Sequence, residues 1–344
     1  MEYSRLSDYD YRLPAELIAQ TPLEQRDQSR MLVLNRQDGS REHTIFKNLP
    51  DYLETGDLLV LNNTKVIPAR LTGMIKGKDT FAEILLLHKL NSGHWAAMVR
   101  PGKKLKPGAR VLIGDDVEAT IEGYGLEGLR VVSFKAPEAI EDLLPRLGKV
   151  PLPPYITTEL ENPDLYQTIY AVENGSAAAP TAGFHFTKDV FTALESKGVK
   201  TACITLHIGP GTFQPVKAEN IRDHTMHSEY YLIDTGTSRL INKTKNEGNR
   251  VIAVGTTVCR VLETAVTSRG RFESREEGWT NLYIYPGFKF RAVDAMITNF
   301  HLPKSTLLML VSALAGYDNI MSAYREAVEK KYRFFSFGDS MLIL

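Results

Sequence analysis

From Tyr155 onward, short runs of buried-strand residues alternate with helix-length amphipathic segments, and few folds accommodate that rhythm. Residues 187–198 read as a helix, with Thr187 as N-cap, Phe191 and Leu194 facing inward and Gly198 as the stop. Residues 199–206 then read as a buried strand. Residues 251–254 form a second strand, followed by a helix through Arg260, Leu262 and Glu263. Residues 293–297 form a third, followed by a helix over 306–314 that Ser305 caps. Strands alternating with helices build a largely parallel sheet. In such a sheet the loops 62–65, 207–213, 255–260 and 299–305 leave from one edge, which is where open α/β sheets bind ligands. Four polar loops on one edge exceed what solvation alone explains.

The amino-terminal part carries a helix signal at residues 14–19 and strands at 31–34 and 57–61. Between Pro68 and Val150 the texture changes to short β-forming runs (70–75, 81–87, 95–99, 111–113, 129–133) separated by Gly, Pro and Asp turns. Strands in series with no helices between them suggest a small β-barrel. A short helix over 137–147 closes it, and Pro151-Leu-Pro-Pro-Tyr155 makes a stiff extended linker. At 344 residues the chain exceeds one ordinary domain of ~100–200 residues. The boundaries expected are therefore 1–67 plus 151–344 for a discontinuous α/β domain and 68–150 for the inserted barrel.

The formal net charge is zero, so contact with nucleic acid requires a local basic patch. The segment Arg100–Arg110 supplies one, with five basic residues (Arg100, Lys103, Lys104, Lys106, Arg110) and no acidic one; a solvated hairpin tip is the competing reading. Lys330, Lys331 and Arg333 form a second cluster, which a charged helix face explains equally well. Arg26, Asp27 and Arg30 could hold an anion, but local ion pairs in a solvated loop are the reading adopted. Cys203 and Cys259 form no framework or metal spacing and fit small core residues in a reducing compartment. The first residues lack a signal-peptide core, and the longest apolar run, 307–315, falls short of the ~18 residues a span needs. A soluble, cytoplasmic protein without a membrane segment is expected.

Chemistry concentrates in a few strings. Small residues crowd Ser176-Ala-Ala-Ala-Pro-Thr-Ala-Gly-Phe-His-Phe-Thr187, where a backbone can approach a ligand or another backbone closely. His185 lies in it, and His207 begins His207-Ile-Gly-Pro-Gly-Thr212. Asn62, Asn63 and Lys65 either make turn hydrogen bonds or face a ligand. The spacing of His224, His227 and Glu229 matches a three-ligand metal site, but arises easily by chance; an imidazole–carboxylate pair for proton transfer is the adopted reading. The amides at Gly209 and Gly211, and those of Gly255-Thr256-Thr257 at a helix start, suit a carboxylate or phosphate.

Taken in order, Leu61-Asn-Asn-Thr-Lys-Val-Ile-Pro-Ala-Arg-Leu71, Pro151-Leu-Pro-Pro-Tyr-Ile156, Ala179-Pro-Thr-Ala-Gly-Phe-His-Phe-Thr187 and Leu206-His-Ile-Gly-Pro-Gly-Thr-Phe213 carry a specific resemblance. His224-Thr-Met-His-Ser-Glu229, Ile297-Thr-Asn-Phe-His-Leu-Pro-Lys-Ser305 and Arg333-Phe-Phe-Ser-Phe-Gly-Asp339 extend it to the end. The chain resembles the S-adenosylmethionine:tRNA ribosyltransferase-isomerases of queuosine biosynthesis over its whole length. The resemblance implies a three-layer α/β/α domain with a β-barrel inserted near its start. It also implies transfer and isomerisation of the ribosyl part of S-adenosylmethionine onto 7-aminomethyl-7-deazaguanine at the tRNA wobble position. Epoxyqueuosine-tRNA, adenine and methionine are the products, so S-adenosylmethionine is consumed and no cofactor or metal is required.

On this reading His207 and His227 move protons, with Glu229 as base or orienting partner. Thr181, His185, Arg260, Asn299 and His301 join Asn62, Asn63, Lys65, Gly209, Gly211, Thr212, Gly255 and Thr256 as substrate-binding candidates. Arg260 or the 255–257 amides would take the methionine carboxylate, and Phe184 or Phe213 would face adenine or the sulfonium. Arg100, Lys103, Lys104 and Lys106 would contact tRNA, and the protein would act as a monomer. An RNA methyltransferase using the same substrate and a non-catalytic RNA-binding module are the rival readings.

Overall fold

The computed structural model describes residues 3–91, 93–158, 160, 162–209 and 215–344. The chain divides into two compact units, one of residues 1–63, 154–172 and 180–344, the other of 64–153 and 173–179.

The first unit is built on a sheet of β1 (Arg30–Leu34), β2 (Arg41–Ile45), β3 (Leu58–Asn62), β4 (Lys200–Leu206), β5 (Glu229–Ile233), β6 (Val251–Val254), β7 (Glu276–Thr280), β8 (Ala295–Asn299) and β9 (Ser340–Ile343). Their order is β7-β5-β4-β3-β6-β8-β9-β1-β2. The central neighbours β4, β3, β6 and β8 run parallel, and β9 returns antiparallel to β8. Strands β3, β6 and β8 are buried at every position, as a sheet covered on both faces requires.

Side chains alternate across the sheet, so parity sorts each strand between two faces. Leu59, Leu61, Ile252, Val254, Ala295 and Ile297 pack on one face against Phe46, Leu49 and the helix α1 (Lys188–Ser196). Cys203 of β4 joins this face. Leu58, Val60, Val251, Ala253 and Met296 take the other, equally buried. There α2 (Thr235–Asn246) and α3 (Thr256–Ala265) lie beside β4 and β6, with α4 (Thr306–Ala315) and α5 (Tyr317–Glu329) beyond. The result is the α/β/α layering. The Thr187 and Ser305 hydroxyls cap α1 and α4 at Val190 N–H (3.3 Å) and Leu308 N–H (3.2 Å), as their positions in sequence imply.

Several expectations are corrected. The helix at residues 14–19 is a single turn, Ala15–Leu17. The strand expected at 293–297 begins at Ala295, because the Glu263 carboxylate takes the N–H groups of Ala292 and Val293 and keeps them out of the ladder. Asn299 is therefore the last strand residue rather than a loop residue. Strands β5 and β7, at one end of the sheet, are not among those expected from sequence; β5 alternates in burial between β4 and β7, and the edge strand β7, Glu-Glu-Gly-Trp-Thr, carries little apolar periodicity.

The second unit is a closed six-strand barrel of Arg70–Ile75, Phe81–Asn91, His94–Arg100, Arg130–Lys135, Val117–Tyr124 and Arg110–Ile113, in that order around the wall. Closure pairs Met74 with Leu112 and Ile75 with Val111. It requires glycine at position 73, where a Cβ would stand 2.1 Å from the Leu112 carbonyl oxygen. Leu71, Ile84, Ala97, Val111, Ile121 and Val132 fill the interior, and the helix Ile140–Leu147 adds Ile140, Leu143 and Leu144 to the same core. Residues 64–67, 151–153 and 173–179, expected in the α/β domain, cluster with this unit, where Glu173–Ser176 pairs in parallel with Thr64–Val66.

Among the described residues no single helix is long and apolar enough to cross a membrane. Only α4 and α5 together reach that composition, and they are bent by 118° at their junction.

Candidate functional site

Because β4, β3, β6 and β8 are parallel neighbours, the segments following their carboxyl ends all leave from one edge of the sheet. Strand parity splits that edge into two sides.

The side shared with α1 carries His185, Asn299, Asn63 and His207. The small-residue run lies here as the turn Thr181–His185, and its smallness serves backbone approach. A Cβ at Gly183 would stand 1.9 Å from the Tyr170 hydroxyl, and the Ala182 Cβ sits 3.5 Å from where one on Gly255 would be. Gly255 itself has φ +95° and donates its N–H to the Ile297 carbonyl at 2.7 Å. Thr256 and Thr257 behind it are buried, while Thr181 is half-buried.

His185 lies between Ser29 Oγ (2.7 Å from Nδ1) and Asn299 Oδ1 (3.3 Å from Nε2). The Asn299 amide nitrogen donates to the Phe335 carbonyl at 2.9 Å, which points its oxygen at the ring. Nε2 therefore carries the proton and Nδ1 accepts from the Ser29 hydroxyl. Burial pushes the His185 pKa down to about 4, and the guanidinium charges of Arg26 and Arg333 push the same way against the Asn299 bond. At neutral pH this imidazole is a neutral hydrogen-bonding element. At the β4 end, Asn63 Oδ1 accepts from the Thr205 hydroxyl at 2.8 Å. Asn62 spends its amide on both backbone groups of Leu206, at 3.0 and 3.1 Å, and so extends the β3–β4 ladder. His207 is half-buried, its ring stacked on Tyr230 with centroids 6.2 Å apart.

On the opposite side Glu229 and Arg260 form an ion pair at 2.5 Å, their side chains 4% and 5% exposed. The other carboxylate oxygen accepts the Gly209 N–H at 2.9 Å, and Arg260 Nε donates to the Leu282 carbonyl at 2.9 Å. Arg260 is thereby occupied, and Glu229 anchors the loop after β4. His301 bonds Thr298 Oγ1 (3.0 Å) and the Tyr324 hydroxyl (3.1 Å), and desolvation takes its pKa down to about 3. A cleft of about 420 Å³ opens beside Glu229, lined by Lys217, Asp223, His224, His227 and Thr306. Burial, then the neighbouring His227 charge, lowers the His224 pKa. Among the described residues no three His, Cys, Asp or Glu side chains converge as metal ligands.

The parity matters for the expected proton-transfer trio. Leu206 pairs with Tyr231, which sets His207 opposite Tyr230 and Ile208 opposite Glu229. His207 therefore projects to one side of the sheet and Glu229 to the other. Gly211, Thr212 and Phe213 lie outside the described residues, and Lys65 is an exposed residue of the barrel unit. Phe184 is buried and stacked on Phe337 at 5.8 Å. The local ion pairs expected around Arg26 do not form: its guanidinium donates to the carbonyls of Gln167 and Leu165, both at 2.8 Å. Arg333 lies beyond the end of α5, not on a helix face, and Ser29 and Tyr324 were not singled out in the sequence at all. The aromatic residues following Arg333 were the available signal for a built-in position.

A model of the family described as queuosine biosynthesis protein matches residues 6–343. The chain belongs to the queuosine biosynthesis protein family. Relatives named S-adenosylmethionine:tRNA ribosyltransferase-isomerase come from Symbiobacterium thermophilum (54% identical), Desulfitobacterium hafniense (52%) and Halothermothrix orenii (51%). Each alignment covers 99% of this chain and 100% of the relative. The crystal structure of S-adenosylmethionine tRNA ribosyltransferase from Thermotoga maritima is similar at a TM-score of 0.57. It is 42% identical, with 98% of this chain and 100% of that one covered. Members of the queuosine biosynthesis family thus match both units of this chain, barrel included.

Proposed function

We propose that this protein is an S-adenosylmethionine:tRNA ribosyltransferase-isomerase. It moves and rearranges the ribosyl group of S-adenosylmethionine onto 7-aminomethyl-7-deazaguanine at the tRNA wobble position and releases adenine and methionine. The observation that carries the reading is the full-length likeness to enzymes of that name at more than half identity. The two-sided edge suits a reaction that joins two substrates. The sulfonium acidifies the adjoining ribose methylene, so a base must take a proton there. Leaving adenine needs a proton or hydrogen bond, and the incoming amine must lose one. His207 and His227 are the imidazoles proposed for these transfers. Glu229, held by Arg260, is proposed as the group that orients the loop between them. His185 and Asn299 form a fixed neutral wall on the His207 side. The protein would work as a monomer in the cytoplasm, beside its tRNA, with S-adenosylmethionine consumed and no resident cofactor or metal.

The test is product identification with tRNA carrying the aminomethyl base. Adenine and methionine should appear in equal amounts, only with that tRNA and without added metal. S-adenosylhomocysteine would instead reveal a methyltransferase, and no turnover at all a binding module.

The proposed tRNA contact is the segment Arg100–Arg110 in the barrel unit, which is a connection between non-adjacent strands and not the hairpin expected, since His94–Arg100 and Arg110–Ile113 do not pair. Leu105 is fully buried and pins the turn, while Arg130 donates to the carbonyls of Leu105 (3.0 Å) and Gly102 (3.2 Å). Arg100, Lys103, Lys104 and Lys106 are exposed on this fixed backbone. Lys104 reaches the Thr80 hydroxyl (3.0 Å), whereas Arg110 is partnered by Glu118 at 3.5 Å. Replacing Lys103, Lys104 and Lys106 with alanine should weaken tRNA binding and leave S-adenosylmethionine binding alone. Each lost phosphate contact should lower the log–log salt slope by about 0.7–0.9. An unaltered slope would show the segment to be a solvated loop.

A further inference from the structure

The S-adenosylmethionine carboxylate needs a cation, and Arg260, the natural candidate from sequence, is consumed by Glu229. Two other guanidiniums have no such partner. Arg26 and Arg333 flank a narrow crevice on the His207 side, with His185, Phe184, Phe337 and Ser336 completing its walls. Both spend their bonds on neutral carbonyls, Arg26 on Gln167 and Leu165 at 2.8 Å and Arg333 on Thr21 at 2.5 Å. Arg333 Nη1 is buried with no hydrogen-bond partner among the described residues. The acids nearby are committed elsewhere. Asp27 accepts from the Thr187 hydroxyl (2.9 Å), and Asp339 from the backbone N–H groups of Arg30 (3.0 Å) and Arg333 (2.8 Å).

A guanidinium taken out of water is costly unless a negative charge and hydrogen-bond acceptors meet it. Burial lowers the pKa of both arginines, opposed at Arg333 by the Asp339 charge. His185 cannot compensate, being neutral. The crevice encloses about 20 Å³. That is room for one water-sized group, so a carboxylate or phosphate would place a single oxygen in it, and a nucleobase would not enter.

We infer that the crevice between Arg26 and Arg333 is an oxyanion site for the substrate, receiving one oxygen of the amino-acid carboxylate of S-adenosylmethionine or of a tRNA phosphate. This rests on the proposed reaction for the identity of its ligands. His207 and Asn299 stand at the ends of β4 and β8, three strand spacings or roughly 14 Å apart along the same side. In S-adenosylmethionine about five bonds, or roughly 7 Å, separate the carboxylate from the ribose, so with its carboxylate at the arginines the molecule turns its adenine end toward His207. The binding comparison assigns the source.

The experiment compares binding of S-adenosylmethionine, its decarboxylated analogue and hypomodified tRNA to the parent and to Arg333→Gln. Charge-assisted hydrogen bonds of this kind separate affinities by about 10- to 100-fold. The parent should prefer S-adenosylmethionine over the decarboxylated form by such a factor. Arg333→Gln should bind the two alike, with tRNA affinity unchanged. Loss of tRNA affinity alone would keep the oxyanion site and assign it to phosphate. Parental affinity for all three ligands in a folded Arg333→Gln would overturn it. Should that variant melt early, Arg333→Lys carries the same comparison, with a smaller loss expected from its retained charge. Adenine release by the parent is measured alongside, so that failure of the reaction assignment is read separately from failure of the site.

Discussion

Replacing His207 with asparagine should lower turnover at least ~100-fold, the lower end of what general acid–base groups contribute. The variant should melt close to the parent and bind both substrates. His207 differs from the other edge histidines in its exposure. His185 and His301 are buried, hydrogen-bonded at both ring nitrogens, and have pKa values driven down to about 4 and about 3. A group that far below neutrality is a poor acceptor near pH 7. His207 keeps partial solvent access at the carboxyl end of a central strand, on the side that carries His185, Asn299 and the paired arginines. Its ring rests on Tyr230 instead of filling a core, so asparagine leaves no buried cavity. Loss of a proton-transfer group removes about 3–5 kcal/mol of transition-state stabilisation, visible in kcat. A variant that unfolds readily while its folded fraction turns over at the parental rate would make His207 architectural.

Much of this site could be read from sequence, and what could not follows a pattern. Strand–helix alternation fixed the common edge, because parallel strands with right-sized helices have little alternative. Parity did not follow, since which side His207 and Glu229 take depends on the register of β4 on β5, and one residue of slip reverses both. The Glu229–Arg260 pair joins two segments far apart in sequence, so each residue looked available for chemistry when read alone. Arg26 shows the converse error. Asp27 beside it suggested a local ion pair, but Asp27 turns to Thr187 while Arg26 reaches the carbonyls of Leu165 and Gln167. The excursion of residues 173–179 into the barrel unit was equally hidden, because four strand residues pairing with Thr64–Val66 leave no periodic signal.

Arg260→Met should be the most destabilising single change at the edge, costing about 3–5 kcal/mol, the usual loss when one member of a buried ion pair is removed. Glu229 would be left charged in a site where its side chain is 4% exposed, and the carbonyls of Leu282 and Thr280 would lose their donor. Against a typical total of about 5–15 kcal/mol this is a large share. It should appear as a lower urea midpoint with an unchanged slope. The pair itself is not expected to be the source of that stability. Exchanging both partners for apolar residues of similar size is often neutral or better, because two desolvation costs vanish with one attraction. Glu229→Leu combined with Arg260→Met should therefore regain most of the lost midpoint. Activity should not return with it, since the Gly209 N–H would lose its carboxylate acceptor and the loop after His207 its anchor. Stability restored without turnover separates holding the loop from holding the fold. If the double variant is as unstable as Arg260→Met alone, the hydrogen bonds to the Leu282 and Thr280 carbonyls carry the energy. If it is fully active, Glu229 plays no part in orienting the loop.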